Sequence, residues 1–436
     1  MGLSSSLNAS VMGLDVNASA LAAISDNIAN SGTNGYKRSV TDFASIVTGS
    51  VAGTYDAGGV RVSSFKAVDE RGSLISTSGS TDIAILGRGL LPVTTVAQRN
   101  DPNETRPLQF LSTGSFDQDE EGYLITSTNL QLLGWPVDSA GNVGNVTRTS
   151  AAGLQPINIS NFNFATNPTT NVEAGINLPA SSSVGVAGNA FTNSIEYFDD
   201  IGASQTLTLN FTSTANANQW TMTITDSATA TANNPITTAT LTFHDNGANA
   251  GYLDALTGLG STTTPAAAWD ATTGVLTLQV NDNVDPITFN IGPEDSTAGF
   301  MTQFVAEFAP VDVVKDGTPV GGLSYVEVDE SGNLQAVYDT GFRQTIYKIP
   351  VADVPDLNGL QALDNQAFAI SAESGDFYLW DAGTGPTGQM SGYVLEMSTT
   401  DIAAELTHLI ETQRAYSSNA RIITAVDEMM QETTNL

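Results

Sequence analysis

Both ends of this chain carry a hydrophobic pattern that the long interval between them lacks. Apolar residues recur at alternating separations of four and three residues, a spacing that places one narrow apolar stripe on a helix and is typical of coiled coils. The N-terminal stripe consists of Leu7, Val11, Leu14, Ala18, Leu21, Ser25 and Ile28. The C-terminal stripe consists of Ile402, Leu406, Leu409, Gln413, Tyr416, Ala420, Ile423, Asp427 and Met430. These terminal stripes predict a first and a last helix that both pack against other helices.

Two interpretations of the terminal stripes remain open at this point. The two helices can pair with each other inside one compact monomer, or the stripes can bind further copies of the chain. Small and polar residues interrupt both stripes, so a single intramolecular pair would bury little apolar area. Contacts with other copies would supply the missing burial, and we expect the stripes to be self-assembly surfaces.

The composition of the 436 residues excludes several classes of partner. There are 46 acidic residues against 14 Lys plus Arg, which gives a formal net charge of −32. Nucleic acid and anionic membrane surfaces both bind through clustered cations, so neither is an expected partner. Cysteine is absent, which excludes disulfides and thiolate metal sites. We find no basic cluster of a cleavable secretory signal and no stretch of about 20 apolar residues, so membrane insertion is not expected.

The positions of proline and of capping residues set the expected helix bounds. No proline occurs before Pro92 or after Pro386, which leaves both ends free to form long helices. The first helix is predicted to end near Asn30, with Gly32 in the left-handed cap conformation. Ser398 and Asp401 form a Ser-x-x-Asp signal for the start of the last helix. We predict a helical coiled-coil domain from residues 1–32 and 396–436. The first helix is followed along the chain by an extended, Gly- and Ser-rich connector at residues 33–71.

From about residue 72 the hydrophobic period changes to two, which predicts β-strands. Residues 82–86 and 122–126 have this pattern. The sequences at 119–124 and 329–334 both place Asp three residues before Gly, where Asp bonds the backbone and Gly supplies the positive φ of a tight turn. The two hairpins are expected to lie in one sheet. We assign residues 72–155 and 320–395 to an inner β domain.

The interval between Arg148 and Lys315 contains 14 Asp and Glu but no Lys or Arg. Strands predicted at 204–210 and 219–224 alternate Thr or Asn with apolar residues, as half-exposed antiparallel sheet does. We assign residues 156–319 to an outer β domain inserted into the inner one. The expected fold class is therefore mainly β with α-helical coiled-coil termini, in a nested multi-domain architecture that keeps both ends together.

No residue pattern in the chain predicts a catalytic, cofactor or metal site. His244 is interpreted as a residue of a β-strand, and His408 with Glu411 lacks a third metal ligand nearby. Asp117, Asp119 and Glu121 imitate the start of a calcium loop, but its twelfth position is Thr128, so a hairpin turn is predicted instead. Nucleophile, phosphate-loop and dinucleotide motifs are absent, and we expect no enzyme activity and no cofactor.

Two ordered sets of residues resemble a known family. Asn27 and Asn30, followed by Gly35 and Tyr36, resemble the N-terminal signature of the bacterial flagellar axial proteins, the rod and hook family. Gln413-Arg414-Ala415-Tyr416 resembles the C-terminal signature of that family. The resemblance covers roughly residues 1–135 and 320–436, and the large insert between these ranges favours the hook branch over the rod branch.

The resemblance implies a structural subunit that polymerises into a hollow, bendable tube and transmits motor torque to the filament as a universal joint. It also implies the partners: copies of the same chain, the flagellar rod, the hook cap, the hook–filament junction proteins and the type III export apparatus. The subunit would lie outside the cell, at the basal body and hook, after export without a cleavable signal. Two alternatives remain, a distal-rod or other axial protein and an acidic surface adhesin or carbohydrate-binding protein.

Overall fold

A computed structural model describes residues 3–46, 58–96, 107–138, 141–182, 188–282 and 285–434. The chain divides into two compact units, and the first contains both chain ends. The first unit is Met1–Phe162, Tyr325–Val337 and Arg343–Leu436, and the second unit is Asn163–Ser324 and Tyr338–Phe342. The finer division into four sequence domains stays a prediction. Part of the expected connector, residues 47–57, lies outside the described residues, and its flanks pair as antiparallel strands.

The two predicted terminal helices are present. Helix α1 spans Leu3–Ala29, and helix α2 spans Ile402–Thr434. The left-handed cap predicted at Gly32 is wrong, because the positive φ in this turn, +72°, belongs to Gly35. Side chains take over the role of the cap: Asn30 Nδ2 donates to the Asp26 carbonyl and Ser31 Oγ to the Ile28 carbonyl, both at 2.9 Å. The last carbonyls of α1 therefore need no left-handed residue at position 32.

Asp401, rather than Ser398, caps the N-terminus of α2. Its Oδ1 accepts hydrogen bonds from the backbone N–H of Ala403 at 2.9 Å and of Ala404 at 3.3 Å. Ser398 Oγ accepts from the N–H of Thr400 in the turn before the helix, at 3.2 Å. The capping signal thus marks the right place, but the helix begins three residues later than a capping box at Ser398 would set it.

Helix α1 is also long and apolar enough, by length and composition, to cross a membrane. The most apolar 18-residue window within Ser5–Ala29 has a mean hydropathy of 1.3, so the expectation that no such segment exists is wrong. Its Ser and Asn residues are outweighed in the mean by Val, Leu, Ile and Ala, and it contains only two charged residues, Asp15 and Asp26. The same composition suits a helix that packs against other helices, and α1 contacts α2 and the strand Ser39–Ser45.

The first unit is built mainly from antiparallel strands around buried side chains such as Leu90, Phe110 and Trp135. Its largest sheet runs through Leu130–Pro136, which pairs with Leu91–Thr95 and Arg343–Lys348. Further strands of that sheet are Gln109–Leu111, Asp117–Gln118, Leu124–Ile125, Gln155–Pro156, Asn333–Tyr338, Gln361–Ala362 and Phe368–Ala369. Smaller sheets contain Ser39–Ser45 with Val60–Lys66, Leu74–Ser76 with Val394–Glu396, Val351–Asp353 with Tyr378–Trp380, and Asp82–Leu86 with Thr113–Ser115 and Gln389–Gly392.

The two predicted Asp-Gly turns have the same geometry and lie in the same sheet, as expected. Asp119 Oδ1 accepts from the N–H groups two and four residues later, at 3.0 and 2.8 Å, and Gly122 has a φ of +90°. Asp329 Oδ1 accepts from the corresponding N–H groups, both at 2.9 Å, and Gly332 has a φ of +80°. The calcium-like sequence at Asp119 is therefore a hairpin turn whose carboxylate is already occupied by backbone donors.

Replacing Gly332 with Ala is expected to destabilise the first unit more than replacing Gly141, which follows Asp138 in the same Asp-x-x-Gly spacing. Both glycines have φ near +80°, a conformation that costs a residue with Cβ about 1–2 kcal/mol. A Cβ on Gly332 would also lie 2.5 Å from the Ile349 carbonyl oxygen, whereas the nearest atom at Gly141 is 3.8 Å away. In urea unfolding, Gly332→Ala should therefore lower the free energy of unfolding by at least about 1 kcal/mol more than Gly141→Ala does. Equal losses would contradict the contact.

The second unit consists of two sheets that share one core. The five-stranded antiparallel sheet contains Ala190–Phe198, Ser204–Ser213, Gln219–Asp226, Thr237–Phe243 and Leu253–Ser261. The six-stranded sheet contains Asn171–Asn177, Ala268–Asp270, Val275–Val280, Asp285–Asn290, Met301–Thr302 and Ala309–Lys315. Phe164–Asn167 pairs with the first part of Thr318–Val328.

The alternation of buried and half-buried residues predicted for the insert is confirmed. Every second residue of Gln219–Asp226 is buried, beginning with Trp220. The other sheet differs from the prediction, since Asn171–Asn177 pairs in parallel with Asp285–Asn290 and Met301–Thr302. Parallel neighbours need long connections, and no local sequence signal specifies them.

Candidate assembly site at the terminal helices

Helices α1 and α2 pack against each other in the antiparallel sense. Asn27, near the end of α1, donates from Nδ2 to Oε1 of Glu405 in the first turn of α2, at 3.0 Å. Further along the pair, a Cβ on Gly13 would lie 2.6 Å from Nδ2 of Asn419. Fourteen residues separate these contact points in each helix (27 − 13 and 419 − 405), so the two helices keep the same register over two heptads.

The contact between the two helices uses a different face of α1 from the N-terminal stripe. The face turned inward carries Ile24 and five small or polar residues: Ser10, Gly13, Asn17, Ala20 and Asn27. Each of these positions precedes a stripe residue by one, which corresponds to a rotation of about 100° around the helix. Gly13 allows a close approach, because even a Cβ at this position would lie 2.6 Å from Nδ2 of Asn419, which would have to shift. The two helices therefore pair within one chain, but this contact does not bury the N-terminal stripe.

The stripe residues flank this helix contact and remain partly exposed. Val11 is 50% exposed, and the other large apolar residues of the N-terminal stripe, Leu7, Leu14, Leu21 and Ile28, are half-buried. In α2, Leu409 and Ile423 are half-buried, whereas four residues are between 43% and 49% exposed: Ile402, Leu406, Tyr416 and Met430. Each helix thus presents an apolar row that the single chain leaves incompletely covered.

An open groove of about 590 Å³ lies between the two helices. Five of its nine lining residues belong to the terminal stripes: Ala18, Leu21, Ser25, Gln413 and Tyr416. The groove therefore brings the two stripes, which are far apart in sequence, to one surface. Its small residues leave room for side chains from outside, and its leucine and tyrosine offer apolar contact.

Asn27 links α1 to the segment that follows it and to α2. Its side chain is buried, and its Oδ1 accepts from the N–H of Ser39 at 2.7 Å. Its Nδ2 donates to the carbonyl of Ser39 at 2.9 Å as well as to Glu405. This residue of the N-terminal signature therefore orients the strand Ser39–Ser45 and the start of α2 against the end of α1.

Tyr36 supports the same junction from the other side. Its hydroxyl lies 2.8 Å from Asp26 Oδ2 and 3.1 Å from Asn27 Oδ1, and it accepts from Lys66 Nζ at 3.0 Å. Burial and the hydrogen bond to Asp26 raise the pKa of Tyr36, and the hydrogen bond from Tyr36 lowers the pKa of Asp26. Gly35 precedes it with positive φ, and its N–H donates to the Glu396 carbonyl at 2.7 Å.

Replacing Tyr36 with Phe is expected to destabilise the first unit by about 1–2 kcal/mol, since the hydroxyl joins Asp26, Asn27 and Lys66. The unfolded tyrosine titrates near pH 10, and the folded pKa is higher. The stabilisation by the Tyr36 hydroxyl is therefore complete below pH 10, and it is lost as the pH rises through the pKa of Tyr36 in the folded protein. Denaturant unfolding should give a difference between wild type and Tyr36→Phe that shrinks above pH 10. A constant difference would exclude this titration.

A buried ion pair joins the N-terminal signature to the segment before α2. Lys37 Nζ lies 2.7 Å from Glu396 Oε1, with side-chain exposures of 0% and 2%. Lys37 also donates to the Glu70 carbonyl at 2.6 Å, and the N–H of Gly72 donates to Glu396 Oε1 at 2.7 Å. Arg71 adds a second positive charge, 3.8 Å from Glu396 Oε2. Burial lowers the pKa of Lys37, an effect that the charge of Glu396 opposes.

The residues of the C-terminal signature lie on α2, where Ala415 lines a cavity shared with Ser39 and Glu405. Gln413, Arg414, Ala415 and Tyr416 are all exposed, and two of them line the groove. Asn30 of the N-terminal signature bonds only locally, to Asp26 and Thr33. The two signatures thus differ in their surroundings. In the N-terminal signature, the buried residues Asn27 and Tyr36 hold neighbouring segments together, whereas the C-terminal signature forms part of the exposed surface of α2.

Sequence reasoning missed two residues of this site, Glu396 and Glu405. Each is a polar residue that gains its importance from a partner more than 300 residues away. One signal was available for Glu405, a carboxylate in the first turn of a predicted helix, but such residues are ordinarily solvent-exposed. The two histidines also differ in their surroundings. His408 is exposed beside Glu411, whereas His244 lies just beyond its strand, next to Asp254 and Asp295.

Two family models match the chain. The model described as "Flagellar basal body rod FlgEFG protein C-terminal" matches residues 390–436, which contain α2. The model described as "Flagellar basal body protein FlaE D2 domain" matches residues 179–318, which lie in the second unit. The matched ranges therefore cover one terminal helix and most of the insert.

Curated relatives match over the whole chain. The flagellar hook protein FlgE of Brucella suis is 32% identical over 442 residues and covers 100% of both chains. The FlgE protein of Escherichia coli K12 is 27% identical and covers 98% of both. Among solved structures, the Helicobacter pylori flagellar hook protein FlgE2 covers 74% of this chain and 100% of its own, at 12% identity and a TM-score of 0.47.

Proposed function

Since the chain belongs to the family of bacterial flagellar hook proteins, which are structural subunits of the hook, we propose that the terminal stripes are the surfaces through which its copies polymerise. The observation that carries this proposal is the position of the stripes. The α1–α2 contact is made by the neighbouring face, so the apolar rows and the groove stay open in a single chain. Burying apolar surface contributes about 25 cal/mol per Å², so a lateral contact along both rows gains several kcal/mol per subunit.

The polymer that fits this arrangement is a hollow tube with the helices innermost. Both helices belong to the first unit, which also holds both chain ends, and the second unit consists mostly of the inserted stretch Asn163–Ser324. We propose that the helices line the tube as coiled-coil layers, that the β domains extend outward in a nested order, and that the tube transmits torque as a bendable joint. Its partners would be its own copies, the rod, the hook cap, the junction proteins and the export apparatus that delivers the chain outside the cell.

The second unit suits the outer, sliding part of such a joint. Its residues 163–314 contain carboxylates but no Lys or Arg, so copies of that stretch cannot lock together through mutual ion pairs. Like charges on adjacent copies repel over a distance that falls to about 8 Å at physiological salt. Neighbouring subunits would therefore slide past each other as the tube bends, and the curvature would respond to ionic strength.

Electron microscopy of the purified full-length chain after seeding tests the proposal. Curved tubes of one diameter are expected. Straight, smooth tubes would favour a rod protein, and the absence of any polymer would contradict self-assembly. A second chain replaces residues 164–322 by a short glycine linker, which is geometrically feasible because Leu323 N donates to the Asn163 carbonyl at 2.8 Å. This variant should still form tubes, but without a defined supercoil.

A further inference from the structure

His244 lies between two carboxylates on the second unit. Its Nε2 is 2.7 Å from Oδ1 of Asp295 and 3.5 Å from Oδ1 of Asp254. One ligand atom from each of the three residues lies within 4.8 Å of the others. An imidazole N–H can donate along only one line, so one hydrogen bond does not account for two carboxylates that converge on the same nitrogen.

Backbone hydrogen bonds hold these residues in place. The N–H of His244 donates to the Tyr252 carbonyl at 3.0 Å, which closes the hairpin that carries both His244 and Asp254. The N–H of Asp295 donates to the Leu253 carbonyl at 2.9 Å, and Asn249 Nδ2 donates to the Asp295 carbonyl at 2.7 Å. These two hydrogen bonds join the segment with Asp295 to the hairpin, so the backbone positions that carry the three side chains are fixed.

The charge at this place is unbalanced. Two carboxylates face one imidazole, and no Lys or Arg occurs in the sequence from residue 149 to residue 314. The next cation along the chain, Lys315, is paired with Glu196 at 2.8 Å. Neighbouring Glu294 accepts from the N–H of Leu256 and from Trp269 Nε1, at 2.8 and 2.9 Å, and supplies no positive charge. A bound divalent cation would balance the two carboxylates.

We propose that His244, Asp254 and Asp295 bind one divalent transition-metal cation of the kind typified by Zn²⁺. Zn²⁺ takes imidazole nitrogen and carboxylate oxygen at about 2.0–2.2 Å, which places two ligand atoms of a tetrahedral site about 3.4 Å apart. The distance from His244 to Asp254 already fits, at 3.5 Å. The distance to Asp295 must increase by about 0.7 Å, and this side chain is 71% exposed and can rotate. Ca²⁺ and Mg²⁺ prefer sets made of oxygen alone, so they fit less well.

The cation would connect the two sheets of the second unit. His244 and Asp254 belong to the hairpin between Thr237–Phe243 and Leu253–Ser261 in the five-stranded sheet. Asp295 follows Asp285–Asn290, a strand of the six-stranded sheet. A metal bridge at this edge would stabilise the second unit against opening, and this role is independent of how the terminal helices polymerise.

Calorimetric titration of chelator-treated, full-length chain with ZnCl₂ tests the proposal. One saturable Zn²⁺ per chain is expected, with X-ray absorption at the zinc edge showing one imidazole and oxygen neighbours. At a hundredfold excess over Kd, thermal unfolding of the second unit should shift upward by about 5–10 °C. His244→Ala and Asp295→Asn should each lower the affinity at least tenfold and remove the shift. Asp295 is the more exposed side chain, so Asp295→Asn serves even if His244→Ala disturbs the hairpin.

The chain offers a matched control in its second histidine. His408 is exposed beside Glu411 on α2, and His408→Ala should leave the stoichiometric zinc binding unchanged. The proposal is overturned if the wild-type chain shows no one-to-one binding, or if binding persists unchanged in His244→Ala and Asp295→Asn. Loss of binding in His408→Ala alone would place the cation on α2 and would equally overturn it.

Discussion

Replacing Leu14 with Asp is expected to abolish polymerisation while the monomer stays folded. Leu14 is half-buried at the edge of the α1–α2 contact, so a carboxylate there can still reach water in a single chain. In the polymer the same carboxylate would be enclosed by apolar side chains, at a cost of about 2–4 kcal/mol per subunit. That cost raises the critical concentration for assembly on the order of 100-fold. Sedimentation and electron microscopy after seeding would measure the effect, and circular dichroism would report the fold of the monomer.

Two further variants make this test specific. Val11 is 50% exposed, so Val11→Asp disturbs the monomer even less and should block assembly equally. Asn8 is exposed and belongs neither to the stripe nor to the helix contact, so Asn8→Asp adds the same charge where no contact is proposed. Normal polymers from Asn8→Asp together with none from Leu14→Asp would support the stripe as the contact. Normal assembly of Leu14→Asp and Val11→Asp would exclude it.

Breaking the buried pair between Lys37 and Glu396 is expected to destabilise the first unit by about 3–5 kcal/mol. The two variants should differ. Lys37→Met leaves Glu396 with the Gly72 N–H and the nearby Arg71, whereas Glu396→Leu removes the carboxylate that faces the buried Lys37 and the half-buried Arg71. Glu396→Leu should therefore be the more damaging. Urea unfolding of the full-length chain, followed through the transition of the first unit, would give both values.

Two comparisons separate the ion pair from general damage at this position. The double variant Lys37→Met with Glu396→Leu should lose less than the sum of the single losses, because it leaves fewer charges unpaired. Arg38 and Glu70 form a neighbouring pair at 2.6 Å with side chains 32% and 39% exposed, and Arg38→Met should cost no more than about 1 kcal/mol. Additive losses in the double variant would show that the two residues act through packing alone.

The local features of this fold follow from the sequence. The alternating spacing of four and three residues predicted both terminal helices. The two Asp-x-x-Gly sequences predicted two hairpin turns, and the hydrogen bonds of these turns are nearly identical. The alternation of Thr with apolar residues predicted the strands at Ser204–Ser213 and Gln219–Asp226. These signals are readable because each depends on residues within a few positions of one another. The exact helix ends were less predictable, since either Ser398 or Asp401 can cap α2 and only the final geometry selects one of them.

The sequence by itself determined that each end of the chain is a helix with an apolar stripe, that the middle is β-sheet, and that the chain belongs among flagellar axial proteins. Only the tertiary structure decided which face of α1 meets α2, because Gly13 admits Asn419 and Asn27 binds Glu405 one position away from the stripe. It also decided that Lys37 meets Glu396 and that His244 meets Asp254 and Asp295. The spacing of apolar residues along a helix or strand determines which of its sides is apolar. The element that packs against that side is determined by contacts between residues hundreds of positions apart, which no local spacing specifies.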